Sequence, residues 1–334
     1  MLRGAPETVL AREVYLDSYL APLAPFLTRA DVTDIYVNRP GEVWVEAIGA
    51  VPERIEVPAL TDRVLSRLAR QIAAMNAQGI SREHPLLSGA LPDGSRVQVA
   101  LPPATRGEIA LAIRRHVSAG LTLQDYQDAG AFAQTSTGGE PTLQSSAPTS
   151  GADILTILRD AVRLRRNILI SGGTSTGKTT FLNALLQEVP QHERLILIED
   201  TAELQLSHQN SVGLLAARGA LGEASVSAED LLIASLRMRP DRIILGEMRG
   251  KEAMTFLRAV NTGHPGSMST IHADTPERAI DQLALLILQS GASMKWEDVV
   301  RYVNRSVDLI VQLKRENGQR RVDRVWRPLE RAGE

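Results

Sequence analysis

The chain has 334 residues, no cysteine and a formal net charge of −2; that length predicts two domains at roughly 150 residues each. Its hydrophobic fraction of 43% supplies packed cores, which aromatics at 4% leave to Leu, Ile, Val and Ala. The composition excludes disulfides and thiolate metal sites and a global electrostatic pull toward nucleic acid, and no run reaches the roughly 18 consecutive apolar residues of a membrane span.

The N-terminus, "MLRGAPETVLAREVYL", lacks the apolar core of a signal peptide, so the cytoplasm is the expected compartment. Residues 8–28 read as an amphipathic helix through Leu10, Val14, Tyr15 and Leu20. Two alternating strands follow, Val32–Val37 and Glu42–Glu46, about a turn at Asn38–Gly41. Thr61 caps a predicted helix through Asn76; Asp93-Gly94 marks a turn before a strand in "SRVQVA", and "GEIALAIRRH" alternates as another. Residues 1–130 therefore predict a small α+β domain with a largely antiparallel sheet. Residues 131–150, "AFAQTSTGGEPTLQSSAPTS", hold no basic residue and many Ser, Thr, Gly and Pro. They read as a flexible linker spanning roughly 25 Å.

From Gly151 the pattern becomes α/β. A helix over Ile154–Leu164 leads to the apolar strand "NILIS", a helix starts at Thr179, and "RLILIE" and "RIILGE" are further buried strands. Ser227 and Asp274 are candidate N-caps for helices through Met238 and Gln289, and the C-terminal segment predicts a hairpin about Asn317-Gly318. This alternation argues for a mostly parallel sheet covered by helices over 151–334.

Between "NILIS" and the next helix stands "GGTSTGKTT", a match to G-x-x-x-x-G-K-[ST] in the strand–loop–helix context that the motif needs. Glycines permit a tight loop whose backbone N–H groups point inward at phosphate oxygens. The candidate phosphate contacts are Gly172, Gly173, Thr174, Ser175, Thr176, Gly177, Lys178, Thr179 and Thr180. Lys178, one of only four lysines, reaches the β- and γ-phosphates in this reading, and the Thr179 hydroxyl coordinates Mg²⁺. Hydrolysis further needs carboxylates to hold the metal and activate water. Glu247 closes one apolar strand and Glu199 with Asp200 another, at the strand ends where open parallel sheets bind ligands.

With these motifs in order, the chain resembles the hexameric traffic ATPases of type IV secretion and bacterial conjugation (the P-type DNA transfer ATPases), within the secretion-ATPase superfamily of type II secretion and type IV pili. The resemblance rests on "GGTSTGKTT", "LIEDTAEL", "LRMRPDRIILGEMRG", "GHPGSMSTIHADTPERA", and, in the N-terminal half, "DIYVNRPGEVWVE", "LPDGSRVQVALPP" and "LAIRR". It implies a C-terminal RecA-like P-loop ATPase domain joined by the linker to the smaller α+β domain, with ATP and Mg²⁺ as substrate and cofactor. Glu247 then positions the metal and its water, Glu199 activates the attacking water, and His272 senses the γ-phosphate; His264 is a weaker candidate. Gly246 stands where generic P-loop ATPases carry Asp, so the division of labour between Glu199 and Glu247 stays open. The resemblance also implies that Arg96 and Arg114 reach the nucleotide from the N-terminal domain, Arg115 being an alternative in that register. Arg239 and Arg237, which precede the Glu247 strand, are further candidate cations.

The implied assembly is a homohexamer at the cytoplasmic face of the bacterial inner membrane, peripheral to it. It works with inner-membrane secretion components, other secretion ATPases and a coupling protein, and no direct nucleic-acid binding is expected. Type II secretion and pilus-assembly enzymes, many with a tetracysteine zinc module, are disfavoured by the missing cysteines, which do not bear on pilus-retraction types. A RecA-like nucleic-acid motor is disfavoured by scarce aromatics and near-neutral charge. A non-hydrolysing, nucleotide-switched scaffold is disfavoured by the two carboxylates and the histidine.

Overall fold

The computed structural model describes residues 15–48, 50–115, 120–138, 151–218, 225–316 and 318–328. They fall into two compact units: Met1–Ala119 with Ala217–Val226, and Gly120–Ala216 with Ser227–Glu334.

The first unit opens with α1 (described over 15–20) and α2 (Ala24–Leu27). The single helix expected over 8–28 is thus broken at 21–23, where Pro22 brings no backbone N–H to continue it; residues 8–14 lie outside the described residues. Strands β1 (Val32–Val37), β2 (Glu42–Ala47) and β3 (Glu53–Glu56) precede helix α3 (Asp62–Met75), and β4 (Leu86–Ala90), β5 (Arg96–Ala100) and β6 (Ala110–Arg114) follow it. The six strands form one antiparallel sheet in the order β3-β2-β1-β6-β5-β4. The α3 helix starts where Thr61 accepts a hydrogen bond from the Val64 N–H, and its buried Leu65, Leu68, Ala69 and Ile72 recur at helical spacing. That stripe packs with Ile35, Val37, Val97, Val99 and Ile113 from alternate sheet positions into one core.

A buried carboxylate sits in this sheet. Glu42, 3% exposed, accepts from Arg39 Nε at 2.9 Å and Arg54 Nε at 2.7 Å, with Trp44 Nε1 at 3.4 Å. The Arg39 and Arg54 hydrogen bonds pull its pKa from an ordinary 4.5 to about 2. A carboxyl group depressed on folding stabilises the native state above its ordinary value and loses that contribution as the pH falls through the folded one. Acid titration of the full chain, followed by Trp fluorescence, is expected to show a first-unit transition between pH 4.5 and about 2. Glu42→Gln should flatten that transition; an unchanged profile would show that Glu42 does not set it.

The second unit begins earlier than expected, at Gly120 rather than Gly151. Helix α4 (Leu123–Asp128) opens on a capping box between Thr122 and Asp125, and it seats Leu123 and Tyr126 against the second unit's core. Residues 131–138, expected as linker, belong to this unit. Phe132 is 1% exposed, Thr135 Oγ1 donates to Val322 O at 2.7 Å, and Ser136–Gly138 forms edge strand β7. A three-residue strand of small polar residues has the composition of a linker, and only its pairing partner distinguishes the two. Residues 139–150 lie outside the described residues.

Then come α5 (Gly151–Arg163), β8 (Ile168–Gly172), α6 (Lys178–Leu186), β9 (Leu195–Glu199) and β10 (Ser211–Leu215). The short β11 (Ala217–Arg218) and β12 (Ser225–Val226) pair with each other and group with the first unit. The chain continues through α7 (Ala228–Ser235), β13 (Arg242–Leu245), α8 (Glu252–Asn261), β14 (Met268–Ile271), α9 (Pro276–Gln289), α10 (Trp296–Ser306), β15 (Leu309–Glu316) and β16 (Gln319–Trp326). The sheet order is β10-β9-β13-β14-β8-β15-β16-β7. From β10 to β15 all pairs are parallel, and β15–β16 is the predicted antiparallel hairpin.

Helices cover both faces, which is why the central strands read as unbroken apolar runs. Ile168, Ile170, Leu195, Leu197 and Ile244 face one core with α5 and α6. Leu169, Ile196, Ile198, Ile243 and Leu245 face the other with α7 to α10. Ser227 caps α7 as expected, but the α9 cap is Thr275, which accepts from Arg278 N, rather than Asp274.

Candidate active site

Strand β8 is buried along its whole length and ends at Gly172, where the chain enters the loop 173–177. Gly177, at φ +89°, turns the loop into α6 in a conformation that a side chain would strain, and it leaves the first helical N–H groups without a side-chain cap. Such a helix start receives anions well. Thr176 Oγ1 donates to Gly173 O at 2.9 Å and stiffens the loop. Lys178 folds back, Nζ donating to Gly172 O at 2.9 Å and Gly173 O at 3.2 Å. Burial lowers its pKa below the ordinary 10.5; the Glu247 charge opposes that shift and the Arg249 charge reinforces it. Thr174 stands exposed at the loop tip, Ser175 takes a left-handed φ of 60°, and Thr179 and Thr180 form the first turn of α6.

The neighbouring strands end at the same edge. Ile271 pairs with Ser171, so His272 comes level with Gly172 on the strand next to the loop. Leu245 pairs with Ser269 and Ile198 with Leu245, which brings Glu247 and Glu199 to that edge one and two strands further out. At about 4.8 Å per strand, Glu247's strand lies roughly 10 Å from the loop strand and Glu199's roughly 14 Å. His272 is exposed and lines a cavity of about 370 Å³ with Asp274, Arg278, Asp281, Leu285 and Trp296. Asp274, expected as a helix cap, instead places Oδ1 3.6 Å from where a Gly173 Cβ would stand.

The glycine in the Asp position has a steric reason. A Cβ on Gly246 would come within 3.3 Å of Glu199 Cγ and 3.5 Å of Ile198 O. The small residue lets the Glu199 side chain lie across the end of β13. Glu199 is itself buried, and its Oε1 accepts from the Glu203 and Leu204 N–H groups, each at 2.8 Å. The segment making that turn is tied to the loop helix: Asn183 on α6 donates to Glu203 O at 3.1 Å and accepts from Gln205 N at 2.9 Å. Sequence reasoning missed Asn183, whose only signal is a polar residue within the apolar stretch 181–186 of α6.

Arg249 was also missed. Its Nε donates to Glu247 Oε2 at 2.6 Å, a second nitrogen pairs with the same oxygen, and Nη1 lies 3.4 Å from Asp200 Oδ2. It thus bridges the ends of β9 and β13. Its position two residues after Glu247, just past a strand end, was the available signal.

Three candidates stand elsewhere. Arg237 and Arg239 are exposed before the amino end of β13, so that strand, roughly 13 Å of chain, separates them from Glu247. His264 lies at that far edge too, its Nδ1 3.2 Å from Pro240 O. The structure does not bring Arg239 or His264 to this chain's own loop, because both precede their strands while the loop follows its own. In the first unit, Arg96 and Arg114 are cross-strand partners on β5 and β6 and share one face; Arg114 Nε donates to Asp34 Oδ1 at 3.1 Å. Arg115 is committed to backbone carbonyls, with Nη1 donating to Arg29 O and, at 3.2 Å, to Val32 O. Arg96 and Arg114 thus share a sheet face, whereas Arg115 is held by the backbone.

The chain is similar to known proteins along nearly its whole length. The model of the family "Type II/IV secretion system protein" matches residues 17–328. The type IV secretion system protein VirB11 of Bartonella quintana is 35% identical, covering 92% of this chain and 91% of that protein. A PtlH homolog of Bordetella bronchiseptica is 38% identical over 94% of this chain and 96% of its own length. In fold, the chain is like the pilus retraction motor PilT, with a TM-score of 0.59 at 21% identity, covering 95% of this chain and 83% of that one. Matched along nearly its whole length, and with a phosphate loop and strand-end carboxylates gathered at one sheet edge, this chain belongs to the Type II/IV secretion system protein family and is a RecA-like P-loop ATPase within it.

Proposed function

We propose that the chain hydrolyses Mg-ATP within a homohexameric ring and powers type IV secretion, whether substrate translocation, pilus biogenesis or conjugative DNA transfer. The observation that carries this reading is the convergence of the Lys178 loop, His272, Glu247 and Glu199 on one edge of a parallel sheet. The near-full-length similarity to VirB11 and PtlH proteins supports the secretion role.

The residues divide the work as follows. Lys178 leaves its two carbonyl acceptors to engage the β- and γ-phosphates. Among the described residues no three His, Asp or Glu side chains form a ready-made metal cage. The Thr179 hydroxyl and the Glu247 carboxylate suit magnesium, which takes one or two protein oxygens when phosphates and water supply the rest. When bound, that ion neutralises phosphate charge. Glu199, fixed by two backbone N–H groups, orients and deprotonates the attacking water. His272 donates to a γ-phosphate oxygen and loses that partner after hydrolysis. Arg96 and Arg114 close over the nucleotide from the first unit and stabilise developing charge. Arg239, at the far sheet edge, acts at a phosphate only in trans, from a neighbouring subunit. Binding energy realised only with the γ-phosphate present shifts the closed and open states. The ring sits peripherally on the cytoplasmic face of the inner membrane, beside membrane secretion components, other secretion ATPases and a coupling protein; no described helix is long and apolar enough to cross the bilayer.

Purified chain is expected to release phosphate from ATP only with Mg²⁺ and to gain the mass of six subunits with a non-hydrolysable ATP analogue. Lys178→Ala should lose the release. Metal-independent release, or a monomer under all nucleotide conditions, would refute the reading.

A further inference from the structure

The C-terminal hairpin overhangs the phosphate loop. Strand β15 pairs with β8 in parallel as far as Leu313 opposite Gly172. It then runs on through Lys314, Arg315 and Glu316 and returns through Gln319, Arg320 and Arg321 on β16. This end of the hairpin carries four cations and one carboxylate, with Asp323 two residues further along. Glu316 is taken by Lys314 at 3.7 Å and Arg321 at 3.1 Å, and Arg321 also meets Asp323 at 3.0 Å. The Arg320 side chain is exposed and makes no ion pair or side-chain hydrogen bond among the described residues, yet it lies against the phosphate loop. Its Cδ lies 3.3 Å, Nε 3.8 Å and Nη1 4.0 Å from where a Gly177 Cβ would stand. Its charge is also felt by the Tyr126 phenol, which burial pushes up to about 12 against the arginine's downward pull. A guanidinium with no carboxylate partner, laid along the last loop residue before Lys178, is placed for an anion.

Sheet order tells which part of the anion it meets. His272, Glu247 and Glu199 end strands on one side of β8, and β15 and β16 lie on the other. Hydrolytic groups gather about the γ-phosphate, so the opposite flank faces the nucleoside end of the phosphate chain. We propose that Arg320 is a nucleotide-binding residue that contacts the α-phosphate of ATP and ADP from within the same chain. The inference rests on the phosphate-loop reading above and adds to it a cation supplied by the C-terminal hairpin rather than by the first unit. It makes Arg320 a determinant of affinity for both substrate and product, with no part in the chemical step.

The test is equilibrium binding of ADP and of a non-hydrolysable ATP analogue to the full chain, with steady-state hydrolysis, for the parent, Arg320→Ala and Arg320→Lys. Loss of one charge-assisted hydrogen bond predicts Kd raised about tenfold for both nucleotides in Arg320→Ala. KM should follow, kcat should fall less than threefold, and Arg320→Lys should recover part of the affinity. Unchanged ADP affinity in Arg320→Ala, whether or not the ATP analogue is weakened, overturns the α-phosphate contact. A fall in kcat larger than the rise in KM overturns the binding role. If the parent itself binds neither nucleotide, the phosphate-loop reading is what has failed, and the two outcomes are distinct.

Discussion

A Glu199→Gln chain should bind ATP as tightly as the parent and hydrolyse it about 10²–10⁴-fold more slowly, the range expected on losing a general base. The substitution is nearly isosteric. The glutamine carbonyl can still accept from the Glu203 and Leu204 N–H groups, so the turn that holds the side chain survives. What is lost is the ability to take a proton. Glu247→Gln should behave differently. Its carboxylate is close enough to Lys178 to influence that ammonium and is paired with Arg249. Neutralising it should therefore raise KM for Mg-ATP as well as lower kcat. Single-turnover hydrolysis beside equilibrium binding separates the two. If Glu199→Gln kept more than a third of the parental kcat, the acid at the end of β13 would be the base and the assignment would reverse.

The largest loss of stability is expected at the other edge of the sheet, at Arg242. This side chain is fully buried; Nε donates to Glu193 Oε2 at 2.6 Å, Nη2 to Glu193 Oε1 at 3.1 Å, and Nη1 to Val162 O at 2.8 Å. Burial works to raise the Glu193 pKa, but the Arg242 hydrogen bonds and charge outweigh it and hold the carboxyl below its ordinary value. Arg242→Ala leaves that carboxylate enclosed beside the half-exposed Arg165, which stands 3.3 Å away. Breaking a buried pair costs about 3–5 kcal/mol; with Arg165 remaining, about 3 kcal/mol is expected by denaturant titration. The pair stabilises the fold above the ordinary glutamate value and loses that contribution as the pH falls through the folded one, so the deficit of the variant should shrink in acid. Replacing both partners with apolar residues of similar volume should restore most of the loss. A single variant within 1 kcal/mol of the parent would mean that the pair is not a principal support of this unit.

The alternating strands of the first unit and the unbroken apolar runs of the second were legible because each sheet face imposes its own period on the residues. The loop at Lys178 was legible because its chemistry requires glycines and a cation at set intervals. What stayed hidden depended on partners distant in the chain. Thr135 and Ser136 look like spacer until Val322 and Arg324 lie beside them. Arg237 and Arg239 were candidates because they precede the strand that ends near Glu247, yet a strand has two ends and only one meets the loop. The Gly246 departure carried no explanation until the Glu199 side chain was seen to pack tightly against the space a side chain would enter. Arg249 and Asn183 work through other side chains or backbone, a relation that no local pattern encodes.

The tie from Asn183 through the 203–205 backbone to Glu199 joins the helix that begins at Lys178 to the carboxylate proposed above as the base for the attacking water. A shift of that helix on nucleotide binding would carry the Glu199 side chain with it through these hydrogen bonds. An unloaded subunit would then idle with its base misdirected, and fuel would be burned only after the grip had tightened.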